Sequence, residues 1–117
     1  MFAKANAYDG DWWPAAGVYH ADKNPESYSA CAEYSEEADQ SDKGLWRLPT
    51  VRELKLVFDM MNQMSAAYRP ATTVYWTATE TSEDGDAAWR GRFDAGANDP
   101  YNFSKANGAR VRCVRDL

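Results

Sequence analysis

Apolar and polar positions follow a helical period immediately after the stretch GLWRLPT. Four apolar residues fall at i, i+3, i+4 and i+7 and form one stripe: Leu54, Val57, Phe58 and Met61. Thr50 is a good N-cap, and Glu53 three residues later completes a capping box. Pro49 keeps Leu48 extended, so the helix does not begin earlier. The pattern predicts a helix from Thr50 to about Met64.

An acidic segment upstream also has a helical pattern, over about residues 25–39. Asn24 and Pro25 are typical of an N-cap followed by proline at the first helical position. One face carries Tyr28, Cys31, Ala32 and Ser35. Acidic residues occupy the remaining positions: Glu26, Glu33, Glu36, Glu37 and Asp39. Their distribution indicates a solvated helix surface rather than a binding site, and QSDKG ends this helix.

Downstream of Pro70 the period changes to two, which is typical of strands. VYWTATE has one set of alternating residues at Val74, Trp76 and Ala78 and the other at Tyr75, Thr77 and Thr79. SEDGD, at residues 82–86, has the composition of a turn. AWRGRFDAG predicts an inward face with Trp89, Gly91 and Phe93 and an outward face with Arg90, Arg92 and Asp94.

Two further strands are predicted near the end of the chain. One is short, at residues 101–104, within the turn-rich ANDPYNFSKANG. The other is ARVRCVR, in which Val111 and Cys113 face inward and Arg110 and Arg112 face outward.

The N-terminal part of the chain completes the order of elements. Residues 1–16 are expected to be irregular, with Trp12-Trp13-Pro14 packing at an edge, and residues 16–20 to form a short strand. The order β-α-α followed by several strands predicts the α+β class, with two helices packed on a mainly antiparallel sheet. At 117 residues we expect one domain over residues 1–117.

The composition narrows the classes of partner. The net charge of −5 and the sequence pI of about 4.8 argue against nucleic acids and anionic membranes. No apolar run approaches the ~20 residues of a transmembrane helix, so direct membrane insertion is not expected. The N-terminus lacks a signal-peptide h-region, and we expect a domain of a longer or processed protein. The 14 % aromatic content suits a small β-containing binding domain, although large core aromatics give the same count.

The two cysteines allow two interpretations. Cys31 and Cys113 lie outside any CxxC or Cys/His cluster, and His20 is the single histidine, so structural zinc is not expected. They are either separate buried thiols or a disulfide that joins an early helix to the last strand. The local patterns turn both towards the core, which favours the disulfide.

Other candidate chemistry is weak. His20 has no serine in a nucleophile-elbow context to complete a triad. Asp84-Gly85-Asp86 and Asn98-Asp99 offer hard oxygens for calcium, but without EF-hand spacing. No glycine-rich loop precedes a helix, so a nucleotide cofactor is not expected.

Four motifs carry a resemblance: LWRLPTVREL, VYWTATE, AAWRGRF and ARVRCVR. They stand in the same order as WRLPT-x-x-EL, YW-[ST]-[SA]-[ST]-E, AW-x-x-x-F and VRCVR of a bacterial C-type-lectin-like family, over about residues 25–117. That family forms C-terminal domains of surface lipoproteins, collagen-like adhesins and fimbrial proteins. The sequence is also similar to the variable proteins of diversity-generating retroelements.

The resemblance implies structural roles for most matching positions. The core would hold Trp46, Leu48, Trp76, Trp89, Phe93 and Val111. Arg47 would be a buried or half-buried guanidinium that holds loop carbonyls, with Glu80 as its counterpart or as a strand-end anchor. Trp46 and Arg47 would thereby tether the loop between the second helix and the sheet. Cys31 and Cys113 would form the disulfide between the first helix and the final strand.

The resemblance also implies what the domain does. It predicts an extracellular or cell-surface ligand-binding module, part of a larger bacterial or phage-encoded surface protein, that binds a protein or a glycan. The alternatives are a structural fimbrial or surface-layer subunit, a hypervariable receptor of a diversity-generating retroelement, and an enzyme of the sulfatase-modifying branch. Counterparts of that branch's catalytic cysteines are missing beyond the presumed disulfide pair, so enzymatic activity is not expected.

Calcium is not expected to be essential, and no cofactor is expected. The lectin signatures Glu-Pro-Asn and Gln-Pro-Asp are absent, and the Trp-Asn-Asp triplet is reduced to Ala97-Asn98-Asp99. The candidate ligand surface is the outward strand face with the loop that follows it: Arg90, Arg92, Asp94, Asn98, Tyr101, Asn102, Phe103, Asn107 and Arg110.

Overall fold

The structure is a computed structural model, which describes residues 2–60, 74–80, 87–92, 100–105 and 108–116. Within these ranges the chain forms two helices and seven strands. The helices are α1 (Trp12–Ala16) and α2 (Val51–Met60). The strands are β1 (Tyr8–Gly10), β2 (Trp46–Arg47), β3 (Val74–Glu80), β4 (Ala87–Arg92), β5 (Pro100–Ser104), β6 (Ala109–Val111) and β7 (Val114–Arg115).

The strands form two sheets. The larger has the order β1-β6-β3-β4-β5, and its pairs are antiparallel except for β3 with β6, which is parallel. The smaller pairs β2 with β7, also antiparallel. The α+β class, with two helices and a mainly antiparallel sheet, is therefore confirmed.

The larger sheet is buried on both of its faces at β3. Trp76 belongs to the main core, which includes Trp12, and its indole N–H donates to the carbonyl of Gly10 at 2.9 Å. The next residue back, Tyr75, packs with Leu54 of α2 in a second apolar cluster. The strand predicted for VYWTATE is confirmed as β3, and residues of both alternating sets are buried because each face has its own cover.

The start of α2 agrees with the predicted capping box. The backbone N–H of Thr50 donates to a carboxylate oxygen of Glu53 at 2.8 Å, and the N–H of Glu53 donates to the Thr50 hydroxyl at 3.2 Å. Leu54, the first residue of the apolar stripe, is buried. The helix is described to Met60, so the predicted extension to residue 64 lies outside the described residues.

The predicted helix over residues 25–39 is wrong, since this segment consists of turns and bends. Asn24 does not cap a helix. Its buried amide donates instead to the carbonyls of Trp13, Val18 and Tyr28, at 3.2, 2.9 and 2.9 Å. Ser27 has φ of 54°, which a right-handed helix does not allow.

The N-terminal prediction is also wrong. Residues 1–16 are not irregular, because they contain β1 and α1, and Trp12 and Trp13 are buried in the main core rather than packed at an edge. The strand expected over residues 16–20 is absent from the described structure. Gly17 instead ends α1 in the left-handed conformation, with φ of 73°, and an added Cβ there would lie 2.8 Å from the Cβ of Ser29.

ARVRCVR does not form one strand, because it is split between β6 and β7. Val111 and Cys113 are buried as predicted, but Arg112 is buried too, against the prediction that it faces outward. Its guanidinium donates to the side chain of Asn6 at 3.0 Å and to the carbonyl of Ala3 at 3.1 Å. The N-terminal segment therefore supplies the acceptors that make this burial favourable.

The predicted disulfide between Cys31 and Cys113 is present, and both residues are buried. The two Cα atoms are 5.7 Å apart, and 82 positions separate the residues in sequence. Its ends differ from the expectation, since Cys31 lies in a turn and Cys113 lies between β6 and β7. Among the helices that the structure describes, none is long and apolar enough to cross a membrane.

Candidate functional site

The candidate ligand surface includes a hairpin at one edge of the larger sheet. Strand β5 is the last strand of the sheet and pairs only with β4 in the described structure. Its register places Arg90 opposite Tyr101 and Trp89 opposite Asn102. Residues directly opposite in an antiparallel pair lie about 5 Å apart between Cβ atoms. Backbone pairing thus brings the candidates Arg90 and Tyr101 together on one face of the sheet, while Asn102 lies opposite Trp89 on the other face.

The hairpin contains two further candidates. Phe103 is paired with Ala88, and Arg92 ends β4 with Val74 of β3 opposite it. Asp94, Asn98 and Asn107 lie outside the described residues, as do Phe93 and the predicted turn at residues 82–86. Their assignment to the surface stays a prediction.

Arg110 does not adjoin the hairpin, against the prediction that it extends the same patch from a neighbouring strand. It belongs to β6, and β3 lies between β6 and β4. Its register partners are Asp9 of β1 and Tyr75 of β3, and the register partner of Arg90 is Trp76. Because successive residues of a strand alternate between faces, the two register positions belong to opposite faces of the sheet.

The inward face predicted for β4 is also only partly right. Gly91 is buried, but Trp89, which the resemblance places in the core, is half-buried. The neighbouring Ala88 is completely buried and belongs to the main core. The predicted inward–outward division therefore fails in β4, because Ala88 and Gly91 lie on opposite faces and both are buried.

Arg47 is half-buried, as predicted, but its partners are carboxylates rather than loop carbonyls. Its guanidinium bonds both oxygens of Glu53, at 2.7 and 2.6 Å, and reaches Asp116 at 3.0 Å. The bidentate bond from Arg47, together with the N–H of Thr50, lowers the pKa of Glu53 from 4.5 to about 2. Arg47 therefore joins β2 to the start of α2 and to the segment after β7.

Glu80 is not the counterpart of Arg47, because it pairs with Lys105, which sequence reasoning did not single out. The Lys105 ammonium lies 3.1 Å from a Glu80 oxygen and 4.1 Å from the ring centroid of Trp12. Lys105 is buried, and its carbonyl accepts the backbone N–H of Trp12 at 3.0 Å. A lysine in a polar, turn-rich sequence carries no signal that predicts such burial.

Asp42 was also missed, although it determines how Trp46 enters the core. The buried carboxylate accepts the indole N–H of Trp46 at 2.8 Å, the backbone N–H of Glu36 at 2.8 Å and the hydroxyl of Ser35. Burial tends to raise the pKa of Asp42, but these hydrogen bonds together hold it below its ordinary value. Trp46 is buried as predicted, and Asp42 satisfies its polar atom.

The described residues contain no group of three or more His, Cys, Asp or Glu side chains arranged to hold a metal ion. Both calcium candidates from the sequence, Asp84-Gly85-Asp86 and Asn98-Asp99, lie outside these residues. Within the described part of the chain, every buried side-chain nitrogen or oxygen has a hydrogen-bond partner. The polar interior is therefore accounted for by contacts within the fold.

The chain matches a known protein family over nearly its whole length. A family model described as the Lcl C-terminal domain covers residues 5–115 of the chain. This match agrees with the bacterial C-type-lectin-like family that the four motifs indicate. Its description as a C-terminal domain suggests a C-terminal module of a surface-associated protein. A comparison with curated proteins finds no match.

Proposed function

Because the chain belongs to the Lcl C-terminal domain family, we propose that it is an extracellular ligand-binding module of a bacterial or phage-encoded surface protein. Its ligand is a protein or a glycan, and binding needs neither a metal ion nor enzymatic turnover. The binding surface is the β4–β5 hairpin, together with the loop between these strands.

The observation that carries this proposal is the pairing of Arg90 with Tyr101 at a sheet edge, with Arg92 at a register position of the same face. Arginine and the aromatic residues are the types that most often supply binding energy in interfaces. Strand β4 of the hairpin also pairs with β3, and both strands contribute to the main core through Ala88 and Trp76. The sequence between β4 and β5, FDAGAND, is polar, and polar loops on a packed scaffold commonly carry binding sites.

An extracellular location is supported by the disulfide. Cys31 and Cys113 are bonded, and disulfides persist in oxidising compartments. A partner other than nucleic acid is supported by the net charge of −5, which opposes contact with phosphates. The lack of lectin calcium signatures supports binding without calcium.

The test is a screen of the disulfide-intact protein on a glycan array and on immobilised surface proteins, with and without EDTA. Every hit is repeated with the double variant Arg92→Ala, Tyr101→Ala. The matched control is Arg52→Ala, Leu56→Ala, which removes one arginine and one large apolar side chain from exposed positions of α2. We expect binding in EDTA, at least a tenfold loss in the hairpin variant and no loss in the control.

Three results would contradict the proposal. Loss of binding in EDTA alone refutes binding without metal, and undiminished binding by the hairpin variant places the site elsewhere. A screen without any hit, combined with assembly of the protein into fibres or layers, favours the structural subunit instead. A neighbouring reverse transcriptase with a near-identical template repeat in the genome would identify the hypervariable receptor.

A further inference from the structure

A long loop joins α1 to β2 over residues 17–45, and it contains no helix or strand. It is nevertheless fixed to the rest of the fold. Asn24 holds the carbonyls of Trp13, Val18 and Tyr28 with one amide, and its oxygen accepts the N–H of Tyr28 at 2.9 Å. The disulfide at Cys31 anchors the same loop a few residues later.

This fixed loop exposes large apolar side chains. Tyr19 is 62 % exposed, Tyr28 46 % and Val18 39 %. The carbonyls of Val18 and Tyr28 bond the same nitrogen of Asn24, so the backbones of these two residues lie close together, and Tyr19 directly follows Val18. Exposed aromatic side chains on a fixed backbone lose little conformational entropy on binding, which is why they are frequent in protein interfaces. We call Val18, Tyr19 and Tyr28 the aromatic patch.

The loop that carries the aromatic patch also carries the net charge of the whole chain. Residues 17–45 contain seven Asp or Glu and two Lys, which gives −5, whereas the rest of the chain contains eleven acidic and eleven basic residues. One of the two lysines, Lys43, is paired with Glu33 at 2.9 Å. Asp22, Lys23 and Glu26 are exposed within the part of the loop that Asn24 organises, so this part carries a net charge of −1 and the remaining −4 comes from residues 27–45.

The charge identifies the chemistry of the partner. A negative surface attracts cationic partners and repels sulfated glycans, nucleic acids and anionic membranes. The face of a tyrosine ring attracts ammonium and guanidinium groups. Exposed aromatic rings on an acidic loop therefore match a segment rich in lysine and arginine.

We propose that the loop of residues 17–45 is a docking surface for a Lys/Arg-rich segment of a partner protein, with Tyr19 and Tyr28 in contact with its cationic side chains. This surface is separate in sequence from the β4–β5 hairpin and does not depend on the ligand proposed for that hairpin. The hairpin variant Arg92→Ala, Tyr101→Ala therefore distinguishes failure of one proposal from failure of the other.

The test measures binding of fluorescein-labelled oligo-arginine to the disulfide-intact protein by anisotropy, at low and at physiological salt, against oligo-glutamate. Tyr19→Ser with Tyr28→Ser removes both rings from exposed positions and is expected to weaken oligo-arginine binding about tenfold. Tyr19→Phe with Tyr28→Phe keeps the ring faces and is expected to bind like the wild type. The matched control is Leu56→Ser with Met60→Ser, two exposed apolar residues of α2.

A charge variant tests the second part of the proposal. Asp22→Asn with Glu26→Gln is expected to lower the affinity and to reduce its dependence on salt. Equal binding of oligo-arginine and oligo-glutamate overturns the proposal. So does unchanged oligo-arginine binding by the Tyr→Ser pair, because binding is then attraction to charge alone. A glycan whose binding is lost in the Tyr→Ser pair, without any oligo-arginine binding, makes the aromatic patch a glycan site.

Discussion

Arg47 shows how much one half-buried side chain connects in this fold. Its guanidinium joins β2 to Glu53 at the start of α2 and to Asp116 after β7. We expect Arg47→Ala to lower the free energy of unfolding by about 1 kcal/mol, since the bonds are charge-assisted but partly exposed to water. Chemical denaturation measures the change, and Arg52→Ala is the control because Arg52 is exposed on α2.

If Arg47→Ala unfolds at the same denaturant concentration as the wild type, the interpretation of Arg47 as a tether is wrong. Arg47→Lys separates charge from geometry. Lysine keeps the charge but cannot form the bidentate bond to Glu53, so we expect it to recover only part of the loss.

The carboxylate of Glu53 makes the free energy of unfolding depend on pH. Its pKa is lowered from 4.5 to about 2 by the Arg47 guanidinium and the N–H of Thr50, so the folded state favours the charged form. The stabilisation is complete above about pH 4.5 and is lost as the pH falls towards 2. We expect Glu53→Gln to be less stable than the wild type at neutral pH and to lose less of its stability over this interval. Unfolding curves from pH 2 to 7 measure how the free energy of unfolding of each protein depends on pH. An equal dependence in the two proteins would contradict the lowered pKa of Glu53.

Among the elements, those with local signals were predicted and those held by distant contacts were not. Helix α2 was predicted from its capping box and its apolar stripe, and strands β3 and β4 were predicted from their period of two. The helix expected over residues 25–39 does not form, because Asn24 uses its amide on three carbonyls rather than on a helix end. The five-residue helix α1 lacks a side-chain cap, so its stability comes from the burial of Trp12 and Trp13.

In the candidate site, too, features with local signals were predicted from the sequence and distant contacts were not. The pairing of Arg90 with Tyr101 fits two strands that the sequence predicts, but the strand order does not follow from pattern alone. The parallel insertion of β3 beside β6 places Arg110 away from the hairpin. Lys105 shows the same limit, since its burial depends on Trp12 and Glu80, which are far from it in sequence.

The amide of Asn24 holds the irregular loop of residues 17–45 in place. Asn24→Ala leaves buried carbonyls without a donor, and we expect it to lower the free energy of unfolding by about 2 kcal/mol. Hydrogen exchange at the N–H of Tyr28, which loses its acceptor, is expected to become faster. Asp22→Ala, an exposed position of the same loop, is the control. Unchanged exchange at Tyr28 would contradict the role given to Asn24.

At the scale of the whole molecule, the disulfide links the loop after α1 to the segment between β6 and β7. The residues are 82 positions apart, and the chain-entropy model gives about 4 kcal/mol for a loop of this length. We expect Cys31→Ala with Cys113→Ala to lose a large part of this free energy in chemical denaturation. Thiol titration of the wild type in denaturant without reductant is expected to find no free cysteine, and two reactive thiols would remove the support for an extracellular location.

The antiparallel course of the two ends of the fold determines how it responds to force. Phe2 is paired with Val114, and Tyr8 with Val111 further along, so a pull between residues 2 and 116 opens these contacts one after another. From the C-terminal side the tension reaches the disulfide directly after Val114 and passes through it to Cys31, so β1 is peeled from β6 only from its own side. The chain from Cys31 to Cys113 is bypassed, so extension stops at roughly 110 Å rather than roughly 400 Å. The β4–β5 hairpin lies within the bypassed part, and a load applied across the domain does not stretch the strands of its proposed ligand site.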